Sequence, residues 1–257
     1  MTKHQNATQF SRRAILKAGG ALVVSIGMPL ALDTVLGISE ALAQDGTAVA
    51  TKPPLMPDQL SSFIAVNADG TVSAFFGKMD MGHGLFVAIG QMVAEELDVP
   101  FKAVTVFMGD TATSVNQGGA SGSTGIQLGG KQMRMAAAEA RRVLVEMAGA
   151  KLGLPADQLT VTNGVVQAKS DASKKASYAE LIGGRYFNVQ LEWNKQWGNT
   201  LYAPGKAKPK DPKDYKIVGQ PIHREDVAPK VYAQEDFCTD VRAVSYTHLT
   251  LPTIYSV

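Results

Sequence analysis

The sequence predicts an α+β fold in which hairpins and strands pack against two main helices. Three observations carry that reading. Apolar residues recur at helical spacing over Ile89–Leu97 and again over Met133–Met147. Two stretches, FIAVNADGTVSAFFGK from Phe63 and LTVTNGVV from Leu159, place strand-forming residues on either side of a turn. Two glycine-rich loops, Gly82-His83-Gly84 and Gly118 to Gly125, each run straight into one of the helical patterns.

Taken in order, residues 11–17 read SRRAILK and precede a mildly apolar stretch from Ala18 to Leu32. That pairing is the pattern of a twin-arginine export signal. Ala41-Leu42-Ala43 supplies a small-x-small cleavage site, so residues 1–43 are expected to leave as a signal peptide and the chain to reach the periplasm through the twin-arginine translocase. A membrane anchor is the other reading. Gly19, Gly20, Gly27, Pro29 and Asp33 interrupt the apolar run and leave it too short for a good span. Cleavage would remove Lys3, Arg12, Arg13 and Lys17 from 25 basic residues, and Asp33 and Glu40 from 23 acidic ones, which leaves the two signs equal. No nucleic-acid partner is implied by such a balance.

Residues 44–60 are polar and proline-containing and read as a linker. The hairpin from Phe63 turns at Ala68-Asp69-Gly70 and delivers the chain to Gly82. A helix is expected from Leu85 to Leu97, with Pro100 beyond its end. Lys102–Met108 reads as a strand and Asp110–Gly130 as a loop. A long helix over Lys131–Leu152 would bury Met133, Ala136, Ala137, Ala140, Val143, Leu144 and Met147, and Gly153 and Pro155 close it. Its methionines read as core filler. Asn163-Gly164 marks the turn of the second hairpin, and Ser177-Tyr178-Ala179-Glu180 a capped short helix. Pro204, Pro209, Pro212 and Pro221, among alternating Lys and Asp, mark a surface linker.

Cys238 is the only cysteine. A disulfide within the chain is thereby excluded, as are an iron–sulfur cluster or c-type haem held by this chain's own residues; a lone cysteine reads as a small buried hydrophobe. His4, His83, His223 and His248 lack metal-ligand spacing, so no metal ligand is assigned.

The glycine loops carry the chemistry. At a helix start the first N–H groups have no internal partner, and the helix dipole adds partial positive charge. Phosphate is the usual beneficiary. Two such loops suggest a long phosphate-bearing cofactor held at more than one point; the bland alternative is two ordinary turns. Neither loop fits the phosphate-loop pattern, because no Lys-Ser or Lys-Thr follows the glycines, and a dinucleotide fingerprint is absent.

The order of motifs is more specific. Met81-Gly82-His83-Gly84, Glu95-Glu96-Leu97, Val104-Thr105-Val106, Gly119 to Gly125 and Ala136 to Arg141 follow one another within residues 60–243. This series resembles the molybdopterin-binding large subunit of the xanthine dehydrogenase family, in its exported branch typified by isoquinoline 1-oxidoreductase and nicotinate dehydrogenase-type subunits. The resemblance implies that residues 61–200 form the N-terminal part of a molybdopterin-binding domain, and that residues 201–243 lead toward a further domain. It also implies a molybdenum–molybdopterin cofactor in its cytosine dinucleotide form, and a small-molecule substrate, an N-heterocycle or an aldehyde, hydroxylated with oxygen from water. Electrons would pass to iron–sulfur clusters on a partner, a small [2Fe–2S] subunit, with a c-type cytochrome as a further acceptor. Export in the folded state suits a subunit that acquires its cofactor in the cytoplasm.

Carried over position by position, Gly82, His83 and Gly84 fall at the pterin contact, with His83 where the family has Gln. Gly122, Ser123 and Gly125 fall where the second loop approaches the pterin and its phosphate, with Ser121 and Thr124 beside them. Glu95 and Glu96 fall at a structural position, and no catalytic residue is assigned, because the family's glutamate base lies near the far end of the complete subunit. At Ala243 the resemblance stops, and VSYTHLTLPTIYSV (244–257) reads as a non-native tail, a β-rich terminus being the alternative. The expectation is therefore an N-terminal fragment, inactive alone. Two readings from other classes stand beside it: an exported α+β module that binds another phosphate ligand, and a structural fragment whose loops hold nothing.

Overall fold

The structure is a computed structural model that describes residues 47–237 and residue 240. The expected signal peptide, Cys238 and the 244–257 tail lie outside the described residues.

The described residues open with a short strand, β1 (Ala48–Val49), inside the stretch expected as a linker. Leu60 follows, fully buried. The first hairpin forms as its sequence predicts: β2 (Ile64–Val66) pairs antiparallel with β3 (Val72–Phe76), with Ile64 opposite Ala74. Helix α1 (Leu85–Leu97) then carries the chain back, and β4 (Val104–Met108) pairs with β3 in parallel. The strand order is β2-β3-β4. A parallel neighbour needs a crossover, and α1 supplies it.

The stretch expected as loop up to Gly130 ends earlier. Gly125–Gly130 winds into a turn of π-helix that runs directly into α2 (Lys131–Leu152). Every residue expected on the inner face of α2 is buried. Gly153 ends it in the left-handed conformation. Strands β5 (Leu159–Thr162), β6 (Val165–Ala168) and β7 (Lys175–Ser177) make an antiparallel meander. Asn163 and Gly164 both take positive φ, as the tight hairpin turn requires. Ser177 and Glu180 form a reciprocal capping box on α3 (Tyr178–Ile182). Strand β8 (Tyr186–Phe187) returns to pair with β1, and α4 (Val227–Val231) lies near the end of the described chain.

The core lies where α1 and α2 pack on the sheets. Phe63, Phe76, Ile89, Leu97, Leu144 and Tyr178 are all but inaccessible to solvent. Each such side chain contributes about 1.5–3 kcal/mol relative to exposure. The proline-containing stretch after Ala203 forms no strand or α-helix before α4, yet four buried side chains fasten it across the two helices. Gln132 exchanges two hydrogen bonds with the Ala203 backbone. Glu139 accepts from the Ala207 N–H at 2.8 Å, and Glu96 from the Lys210 N–H at 3.0 Å. Glu95 Oε2 accepts from the N–H groups of Lys216, Ile217 and Val218 at 2.8, 2.6 and 3.0 Å. Burial works against this carboxylate, but those three N–H groups and Lys210 outweigh it and hold its carboxyl below the usual range.

Candidate functional site

The parallel strands β3 and β4 end side by side at Gly77 and Gly109, and a cleft opens beyond their C-terminal ends. That is where ligands enter open sheets with parallel strands. The cleft holds about 450 Å³ and is lined by Gly77, Met79, Met81, Gly109 and the run from Gly118 to Ser121. A neighbouring cavity of about 310 Å³ shares Gly77 and Gly109 and reaches Ser114 and Trp197. Gly77 lets the strand leave against the Val115–Gln117 backbone, where a Cβ would collide with the Val115 carbonyl. Its own N–H donates to Gln117 Oε1 at 2.7 Å.

The first glycine loop is closed by a carboxylate. Asp80 Oδ1 accepts from the backbone N–H groups of Gly82 (2.8 Å), His83 (3.0 Å) and Gly84 (3.2 Å), and Oδ2 from that of Phe86 (3.3 Å). The expectation that this helix start offers free N–H donors is corrected accordingly. Asp80 stands three residues ahead of His83 and occupies the position an anion would take. Burial opposes its charge, but the N–H groups of Phe86, Gly82 and Gly84 and the His83 ring prevail and hold the carboxyl below its usual range. His83 Nδ1 lies 3.0 Å from Asp80 Oδ1, so Nε2 is the ring atom left to meet a ligand, on a side chain that is half exposed. From outside, Arg224 donates to the Gly82 carbonyl at 3.2 Å and lies over Gly84, itself held by Asp226.

The second loop has the opposite character. Ser121, Gly122 and Ser123 are exposed. Among the described residues, no hydrogen-bond partner is found for the N–H groups from Gly119 to Ser123. Thr124 folds the turn from within, its hydroxyl reaching the Gly119 carbonyl at 3.0 Å and the Ser121 carbonyl at 2.8 Å. Gly125 is buried against the Leu85 side chain, which brings the end of this loop to the start of α1. Behind the loop sits Lys78, 1% exposed. Its Nζ donates to the Gly119 carbonyl (2.8 Å), Asn199 Oδ1 (2.5 Å) and, more weakly, Thr124 Oγ1 (3.4 Å). Burial pushes this ammonium below the usual lysine range.

Of the residues singled out in the sequence, Ser121 lines the cleft directly, and Gly84 and Gly125 meet through Leu85. Gly82 and His83 follow Met81, which lines the cleft, but do not line it themselves, while Gly122, Ser123 and Thr124 form the outer turn of the second loop. Glu95 and Glu96 are buried and engaged by backbone N–H groups, a structural role. Sequence reasoning assigned no site role to Lys78, Asp80, Asn199 or Arg224. A signal existed for Lys78: strand parity points Val72, Ala74, Phe76 and Lys78 to the same, inner side. No group of three or more His, Cys, Asp or Glu able to hold a metal occurs among the described residues, and no described helix is long and apolar enough to cross a membrane.

The family defined as the molybdopterin cofactor-binding domain matches residues 31–221. The B-type subunit of nicotinate dehydrogenase from Pseudomonas putida is 32% identical over 227 residues, which is 88% of this chain and 18% of that protein. The beta chain of isoquinoline 1-oxidoreductase from Brevundimonas diminuta is 26% identical over 261 residues, 91% of this chain and 32% of the relative. The chain thus spans less than a third of the length of either. Among solved structures, quinoline 2-oxidoreductase from Pseudomonas putida 86 aligns with 47% of this chain and 15% of its own, at 25% identity and a TM-score of 0.40.

Proposed function

The chain belongs to the molybdopterin cofactor-binding domain family, and from that premise we propose that it is the cofactor-binding portion of the large subunit of a periplasmic molybdenum hydroxylase. The observation that carries the reading is the pairing of an open, N–H-rich second loop with a buried ammonium behind it. A phosphate-bearing ligand meets two complementary features there, unpaired backbone donors and positive charge. The donor set fits a pterin cofactor with its phosphate; the cytosine dinucleotide form is proposed from the family resemblance. When bound, that cofactor supplies the oxidation chemistry: hydroxylation of a carbon beside a ring nitrogen or carbonyl, with oxygen from water.

This chain's own residues bind and orient. Gly119 to Ser123, with the hydroxyls of Ser121 and Ser123, receive the phosphate. Thr124 and Gly125 set the turn. His83 Nε2 offers the ring-edge contact, with Gly82 and Gly84 shaping the backbone beside it. Glu95 and Glu96 take no part in proton transfer, because backbone N–H groups, Arg134 and Lys210 already engage them. No general base is assigned within this chain. Both relatives are named for reactions on N-heterocycles, which favours an N-heterocycle over an aldehyde as substrate of the assembled enzyme. Electrons would leave to a small [2Fe–2S] subunit, then to a c-type cytochrome.

The test is the cofactor content of the protein isolated from its producing organism. Oxidation to a fluorescent pterin, release of cytidine monophosphate on acid hydrolysis, and molybdenum by elemental analysis are the expected results. A bound phosphate compound without pterin would replace this reading with that of a phosphate-ligand module. Export is tested separately: Arg12→Lys with Arg13→Lys is expected to leave the protein in the cytoplasm, and unchanged export would refute the twin-arginine assignment.

A further inference from the structure

Lys78 is a buried cation with no counter-ion among the described residues. Its three acceptors are a carbonyl, a hydroxyl and a side-chain amide, all neutral. Several other buried or half-buried charges of this domain are ion-paired, Arg134 with Glu96, Arg142 with Glu139 and Lys210 with Asp98 among them, and none of the described pairs includes Lys78. The acid nearest in sequence, Asp80, is turned to the first loop. Burying a charge costs several kcal/mol unless an opposite charge compensates it. Had the role been to tether the loop alone, a neutral donor in that place would avoid most of that cost.

We propose that Lys78 is a positioning residue for an anionic ligand of the second loop. Its ammonium ties Gly119, Thr124 and Asn199 into one loop conformation and leaves its charge unneutralised, so that the ligand's phosphate supplies the missing counter-ion. The three contacts come from segments 41, 46 and 121 residues away along the chain. One side chain therefore fixes the rear of the loop whose front presents free N–H groups. The inference deepens the cofactor reading by naming the group that prepares the phosphate end of the site. It rests on that reading only for the ligand's identity, and inorganic pyrophosphate serves as the probe.

The experiment measures pyrophosphate affinity and its salt dependence on the full chain and two variants. Asn199→Asp sets a carboxylate against the ammonium, which keeps the tether and neutralises the charge. It is expected to retain or raise the melting temperature while weakening pyrophosphate by about tenfold or more and flattening the salt dependence. Lys78→Met removes both tether and charge and is expected to lose binding and stability together. If Lys78→Met does not fold, Asn199→Asp decides alone. Pyrophosphate affinity within about twofold of wild type in Asn199→Asp would overturn the proposal, as would absence of pyrophosphate binding in the wild type. Neither result depends on whether the isolated protein carries pterin, so failure here and failure of the cofactor reading are told apart.

Discussion

The two glycine loops look alike in sequence and differ in charge. In the first, a carboxylate of the same loop consumes the donors at a helix start. In the second, the donors stay open and a buried ammonium stands behind them. A glycine run ahead of a helix is therefore not by itself an anion site. What decides is whether a neighbouring side chain has already taken the anion's place.

The largest expected effect comes from breaking the closed loop. Asp80→Ala leaves four backbone N–H groups without their acceptor and should cost about 2 kcal/mol, as loss of a strong N-terminal cap does. Thermal or urea unfolding measures this. The same substitution should open the first loop to pyrophosphate, and weaker pyrophosphate binding than in the wild type would contradict the assignment of Asp80 as an anion mimic.

Acid should separate the loops next. The folded Asp80 carboxyl titrates below its ordinary value. Its stabilisation is present above the unfolded carboxyl's pKa of about 3.9 and is lost as pH falls through the lower folded value. The amides of Gly82, His83 and Gly84 should then lose protection against hydrogen exchange. The Gly118 and Thr124 amides, bonded to Asn116 Oδ1 and the Ser121 carbonyl, should not follow, because neutral groups and an ammonium hold that loop. Loss of both together at one pH would remove the distinction.

Smaller effects refine it. Thr124→Val removes the hydroxyl shared by the Gly119 and Ser121 carbonyls and should cost about 1 kcal/mol. It should weaken pyrophosphate binding without altering its salt dependence, since no charge is removed. His83→Gln should change stability by less than about 0.5 kcal/mol, because the ring is half exposed and its contact with Asp80 is replaceable by an amide.

Much of the scaffold is legible in the sequence. Helices α1 and α2 begin and end at the expected residues because apolar period, glycine caps and the long unbroken run all agree. The Asn163-Gly164 hairpin and the Ser177 capping box are local chemistry and need no tertiary information. Partner choice does need it: nothing within β4 declares that it pairs parallel to β3, since that depends on where α1 returns the chain. Gly125–Gly130 reads as loop by propensity, but the close seat of Gly129 on Phe76 and of Gly130 on Met92 winds it into a π-turn. The stretch after Ala203 reads as linker because its fastenings, Gln132, Glu139, Glu96 and Glu95, lie far away in sequence. At the site, the glycines and serines were visible and their charged neighbours were not. Lys78 and Asp80 look like ordinary surface charges until strand parity and the folded loop show where each one points.

The most direct test of the contrast between the loops is an amide hydrogen-exchange footprint of the full chain with and without pyrophosphate. Added protection is expected at Gly119 to Ser123 and none at Gly82, His83 and Gly84. Protection of the first loop with the second unchanged would contradict it.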